Sequence, residues 1–249
     1  MPLPDNADLL KDDYGELAPE QLPVYTTHLD EADALSINKK LLAEADFQKF
    51  IQLWCDAHEQ TMDSRSLVEL LGGYHCQEVA RLCEKELAAH ELLLRSANHY
   101  SKFLQDQRCD PEIRYFAQWQ MGLVMERLGS PWAEVEKWLL SASKYHEGRG
   151  EAMRYVIQHY RATSGWSFGF IYSSIAIKKF HGALPGQCQW FVNPGFYNWK
   201  VMYYHANICS KLLMKAESAN SYRKIWPYVE QHPDEFTENQ IQFFKQFKN

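Results

Sequence analysis

Apolar residues recur along most of the chain at three- and four-residue steps, the signature of helices that bury one face. From Glu31 the series is Leu35, Ile37, Leu41, Leu42 and Ala45. Asp46 then stands as a candidate N-cap before Phe47, Phe50, Ile51, Trp54 and Cys55. Asp63 or Ser64 opens a short helix through Leu67, Leu70 and Leu71, which Gly72-Gly73 is expected to end. A strongly helical stretch follows from Tyr74 with Val79, Leu82, Cys83, Leu87 and Leu92, and it either runs to Leu104 or breaks near His90. Asp110-Pro111 predicts a clean helix start, because a proline at the first helical position gives up an N–H that has no partner there anyway. Tyr115, Trp119, Gly122, Leu123 and Met125 belong to that helix, and Trp132, Val135, Leu139 and Ala142 to the next. Gly148 and Gly150 interrupt; Glu151 to Arg161 and Trp166 to Lys179 are then two helices joined at Ser164-Gly165. Trp199 to Leu213, Ala216 to Val229 and Phe236 to Phe247 complete the helical reading.

Ala142 and Ala176 are 34 residues apart, as are Gly122 with Val156 and Met125 with His159. That step is the period of the tetratricopeptide repeat, a pair of helices that stacks on its neighbours. The predicted fold is therefore all-α, an α-solenoid of tetratricopeptide-like helical hairpins with a divergent helical N-terminal part. The expected organisation is an extended, proline- and acid-rich arm at 1–30, a divergent helical region at 31–110 and a repeat region at 111–249. Leu71-Gly72-Gly73-Tyr74 resembles a hairpin turn, so 46–88 is either a degenerate repeat or unrelated helices. The exception in the repeat region is 181–198, where Gly182, Pro185, Gly186, Pro194 and Gly195 forbid a long helix. Trp190, Phe191, Phe196 and Tyr197 lie within this stretch, so it is expected to be pinned down by its rings.

Composition narrows the function. Of 249 residues, 46% are hydrophobic and 23% charged, and the net charge is −6, with no basic stripe. Nucleic acid and anionic membranes are accordingly poor partners. No apolar run is long enough to span a membrane, and the start carries no signal-peptide pattern, so a cytoplasmic location is expected. Cys55, Cys76, Cys83, Cys109, Cys188 and Cys209 include no CxxC and read as thiols in a reducing compartment.

Leu128-Gly129-Ser130-Pro131-Trp132, Arg149-Gly150-Glu151-Ala152, Tyr160-Arg161 and Phe191-Val192-Asn193-Pro194-Gly195-Phe196-Tyr197-Asn198-Trp199 occur in that order. Over about residues 111–226 the chain resembles the tetratricopeptide-like helical region that follows the catalytic domain in some bacterial family 2 glycosyltransferases. The resemblance implies the helical fold and a setting in glycan or polysaccharide assembly. It does not imply transfer activity: the upstream residues are helical, no Asp-x-Asp metal motif occurs, and Tyr203-Tyr204-His205 replaces the acidic pair expected after the Tyr-x-Trp.

Candidate chemistry is sparse. Asp30-Glu31-Ala32-Asp33 spells a helicase box, but no phosphate-binding loop accompanies it. Gly165-Trp166-Ser167-Phe168-Gly169 matches GxSxG, yet a helix precedes it where the nucleophile elbow needs a strand. His75 with Cys76 and Cys83, or His90 with His99, lack metal-ligand spacing. No catalytic residue, metal or cofactor is nominated. The charged and aromatic set comprises Arg114, Arg149, Glu151, Arg154, Tyr155, Arg161, Tyr197, Trp199, Tyr203 and Tyr204. Guanidinium groups on first helices could grip a peptide carboxylate, a phosphate or a sugar acid. The residues nominated for binding are Arg114, Arg149, Glu151, Arg154, Tyr155, Trp190, Tyr197 and Tyr203, with inter-helix packing as the competing role. The expected function is a non-catalytic helical-repeat binding or scaffold protein for a protein or peptide partner. The alternative is an accessory, dimerisation or acceptor-recognition module for a glycosyltransferase, and homodimerisation is compatible with either.

Overall fold

The computed structural model describes residues 28–59, 64–106, 108–186 and 190–248, so the expected N-terminal arm lies outside them up to residue 27. The described residues form helices α1 (Glu31–Leu42), α2 (Ala45–Glu59), α3 (Ser64–Leu82), α4 (Glu86–Gln105), α5 (Pro111–Arg127), α6 (Trp132–Ala142), α7 (Glu151–Ala162), α8 (Trp166–Phe180), α9 (Val201–Lys211), α10 (Lys215–Gln231) and α11 (Glu238–Lys245). No strand occurs among them, so the all-α expectation holds. None of these helices is long and apolar enough to cross a membrane. The chain divides into two compact units, up to Trp138 and from Leu139 onward.

In the first unit the local start signals work as the residue chemistry dictates. Asp30 caps α1 by accepting from Asp33 N at 2.8 Å, which gives the helicase-box spelling a plain structural role. Asp110 caps α5 by accepting from Glu112 N at 2.7 Å, with Pro111 in the first turn as expected. Asp46 sits inside the first turn of α2 and is not its cap.

The expected helix end at Gly72-Gly73 is wrong. Helix α3 runs through both glycines, and the chain breaks later, at 83–85, before α4 continues past His90 to Gln105. The reason is tertiary. A Cβ on Gly72 would lie 2.9 Å from the His99 ring, and one on Gly73 would lie 2.9 Å from the Tyr100 ring. Glycine here lets α3 and α4 approach closely, and Ser96 Oγ donates to Gly73 O at 2.7 Å across the contact. That packing offsets the roughly 1 kcal/mol that each glycine costs inside a helix. Leu71-Gly72-Gly73-Tyr74 is therefore not a hairpin turn. Phe47, Phe50, Tyr74 and Phe116 bring α2, α3 and α5 together, with Phe50 stacked on Tyr74 at 4.0 Å.

In the second unit α7 and α8 join at Ser164, which holds φ 60, followed by Gly165. Gly169 sits 3.2 Å (from its would-be Cβ) from Ile208 Cδ1, so α8 and α9 also meet over a small residue. Ala142 and Ala176 are both fully buried. A π-helical turn, Phe196–Lys200, leads into α9. Helix α11 opens on a Thr237–Gln240 capping box and lays Phe244 against Trp199, Tyr203 and Tyr222. Three hydrogen-bonded pairs in this unit, Glu151–Tyr197, Gln158–Tyr204 and Arg161–Asn207, are each 46 residues apart. A constant separation means that α7 and the helix opened at Phe196 run parallel and in register.

Candidate functional site

The stretch expected to be pinned is held by a buried knot of polar groups. Arg149 and Glu151, at the start of α7, are both fully buried and paired through Nε and Oε2 at 2.8 Å. Arg149 Nη2 donates to Trp190 O at 2.5 Å. Glu151 Oε1 accepts from Asn193 N at 3.1 Å and from Tyr197 Oη at 3.0 Å. Tyr197 Oη in turn accepts from Gly150 N at 2.8 Å. Burial, with the Glu151 carboxylate beside it, pushes the Tyr197 phenol far above its ordinary range, so it remains a donor. Phe196 and Tyr197 are fully buried and Trp190 nearly so, whereas 181–184 and Gly186 are exposed. The ring-driven anchoring is thus present in 190–198, and 187–189 lie outside the described residues.

This geometry revises several nominated binding residues. Arg149, Glu151, Trp190 and Tyr197 face one another in the interior and have no surface to offer a ligand. Arg114 belongs to the first unit, where its guanidinium donates to Asp106 O and, at 3.2 Å, to Leu104 O; it caps the C-terminus of α4. Tyr203 is half-buried and packs its ring against Trp199, Tyr222 and Phe244.

What remains accessible lies along α7 and α9. Arg154, Tyr155, Gln158 and Arg161 are all partly exposed. Arg154 lies over the Tyr155 ring at 4.8 Å, and its Nε is buried without a hydrogen-bond partner. Arg161 lies over the Tyr204 ring at 4.7 Å and the Tyr203 ring at 5.7 Å, and its Nε donates to Asn207 Oδ1 at 3.3 Å. Gln158 Nε2 donates to Tyr204 Oη at 3.1 Å. Among the described residues neither Arg154 nor Arg161 has a carboxylate within ion-pair distance. Two guanidinium groups, two amides and a phenol therefore share one face. Sequence reasoning nominated Arg154 and Tyr155 but missed Gln158 and Asn207. The seven-residue step between Arg154 and Arg161 was the available signal for the stripe on α7; no local pattern encodes the register that brings Asn207 beside it.

One further polar cluster was not anticipated. Ser173 Oγ is 2.8 Å from His205 Nδ1, and His205 Nε2 is 3.6 Å from Glu217 Oε1 and 3.4 Å from Cys209 Sγ. The residue types are those of a nucleophile, a base and an acid, but Ser173 is fully buried and also donates to Phe170 O at 3.2 Å. Burial holds the His205 imidazole below its ordinary range, with Glu217 opposing that shift, and pushes the Cys209 thiol up to about 11. The cluster ties α8 to α9. Ser167 of the GxSxG match is exposed on the first turn of α8 and follows a helix, not a strand. Among the described residues no group of three His, Cys, Asp or Glu side chains is placed to hold a metal. Cys55, Cys76, Cys83, Cys109 and Cys209 carry unbridged thiols, and Cys188 lies outside the described residues. Compared with protein-family models, with curated proteins and with solved structures, the chain matches none.

Proposed function

We propose that the protein is a non-catalytic binding or scaffold protein that receives a protein or peptide partner on the face formed by α7 and α9. The observation that carries this reading is the pair Arg154 and Arg161: two guanidinium groups on one helix face, backed by tyrosine rings and lacking carboxylate partners among the described residues. An arginine placed to stabilise a fold is normally satisfied by a carboxylate or by carbonyls, as Arg149 and Arg114 are here. Arg154 and Arg161 keep donors available for another molecule. The parallel register of α7 and α9 supports the repeat-like arrangement on which such a surface would be built. The test is affinity capture from an extract of the source cells, with the wild type and an Arg154→Ala/Arg161→Ala double variant of unchanged melting temperature. A partner held by the wild type and lost by the variant is expected. Identical capture by both would refute the use of this face.

A second reading, an accessory module for a glycosyltransferase, is favoured by one observation. Two of the four segments that carry the likeness to the transferase-associated region, 149–152 and 191–199, are hydrogen-bonded to each other in the buried knot. A transferase among the captured proteins would support this reading.

A further inference from the structure

We infer that the ligand of the α7–α9 face is an extended acidic peptide segment whose carboxylates stand three residues apart; this rests on the reading that this face is the binding surface. Arg154 and Arg161 are seven residues apart on α7. Seven steps of an α-helix return to within about 20° of the same face and advance about 10 Å. The ligand must therefore present two anionic groups on one side at about that spacing. A polyproline II segment has three residues per turn and rises about 3.1 Å per residue, so side chains three apart share a face about 9 Å apart. In a flat β-strand, positions three apart point to opposite sides, which excludes that conformation for this spacing.

The two amides beside the arginines favour an extended chain over a helix. Gln158 uses Nε2 on Tyr204, which leaves its carbonyl oxygen as an acceptor. Asn207 uses Oδ1 on Arg161 Nε, which leaves its amide N–H groups as donors. The Gln158 acceptor between the arginines and the Asn207 donor beside Arg161 match the unsatisfied C=O and N–H groups of an extended backbone. A helical ligand would present neither, because its backbone bonds are internal. The guanidinium ends then hold the carboxylates, with planar donors suited to bidentate contact.

The test is fluorescence anisotropy with the full chain and short fluorescein-labelled peptides. One carries two glutamates three residues apart in a proline-rich sequence, one carries adjacent glutamates, one carries glutamates seven apart in a helix-forming sequence, and one replaces the glutamates by glutamines. The three-apart peptide is expected to bind at least tenfold tighter than the others and to weaken with added salt. Arg154→Ala and Arg161→Ala should each cost about tenfold, and Arg161→Lys should recover only part of it, since it restores the charge but not the planar fork. Tighter binding by the helical peptide, equal binding by the glutamine peptide, or displacement by inorganic phosphate as effective as that by the unlabelled peptide would each overturn the inference. If no peptide binds while the double arginine variant still loses its partner in the capture experiment, the ligand class is wrong and the face is right. If that variant loses nothing, the face itself falls.

Discussion

Glu151→Ala should be among the most destabilising single substitutions in the second unit. The carboxylate accepts from Arg149 Nε, Asn193 N and Tyr197 Oη, and both charged partners are fully buried. Removing one member of a buried pair leaves the other charge desolvated, which costs about 3–5 kcal/mol. Orphaning the Asn193 and Tyr197 donors adds about 1–3 kcal/mol each when they cannot turn to water. These terms overlap, so a loss of about 4–6 kcal/mol is expected, comparable with the whole stability of a marginal domain. Glu151→Gln keeps the shape and one acceptor oxygen and should lose about 3 kcal/mol. The decisive comparison is a double-mutant cycle in urea with Arg149→Met, Glu151→Leu and the pair together. Because an apolar replacement removes the desolvation cost along with the attraction, the double variant should be more stable than Glu151→Leu alone. A loss below about 1 kcal/mol for Glu151→Ala, or strictly additive losses in the cycle, would refute the buried pair as described.

Three other outcomes are expected. Gly150→Ala should cost about 1–3 kcal/mol through overpacking, because the new methyl would lie 2.6 Å from Phe196 Cε1 and 3.1 Å from Phe180; an unchanged melting temperature would count against that contact, and Ala176→Leu offers the same test for a fully buried position. Burial lowers the His75 imidazole to about 3, so below the unfolded value near 6.5 the unfolded chain takes up a proton that the folded one refuses, and stability falls by about 1.4 kcal/mol per pH unit until the folded value is reached. Urea midpoints at about pH 7.5 and about pH 5.5 should therefore separate further for the wild type than for His75→Gln; equal separations would exclude His75 as a source. Limited proteolysis of the native protein should spare 190–198, whose rings and backbone are tied down, and any early cleavage nearby should fall in the exposed 181–184; rapid cutting inside 190–198 would contradict the anchoring.

Much of the helical pattern was legible because its signals are local. Asp110-Pro111 predicts the start of α5, and Ser164-Gly165 the turn between α7 and α8, from the backbone preferences of those residues alone. Gly72-Gly73 misled because the same residue type serves as a helix terminator and as a close-contact position; only the rings of His99 and Tyr100 decide between them. The candidate site shows the same ambiguity. Arginine, glutamate and tyrosine are equally suited to gripping a ligand and to tying a loop from within. Arg149, Glu151 and Tyr197 do the second, and residue type alone does not separate them from Arg154 and Arg161. The all-α class, by contrast, needs only the three- and four-residue periodicity, which survives whichever neighbour each face finds.

The long sequence separations within the knot bear on the order of folding. Glu151 meets Asn193 and Tyr197 across 42 and 46 residues, while α7 and α8 are joined by a short turn. Closing the longer loop costs more chain entropy, and the two charges lose water only when the last donors arrive. Bringing them together is accordingly expected to be a late event, after the hairpin of α7 and α8 has formed. Interactions absent from the transition state change the rate of leaving the native state rather than the rate of reaching it. The knot is therefore expected to act as a latch: Glu151→Ala should speed unfolding in a urea chevron while leaving the refolding arm nearly unchanged, and an equal effect on both arms would contradict this order.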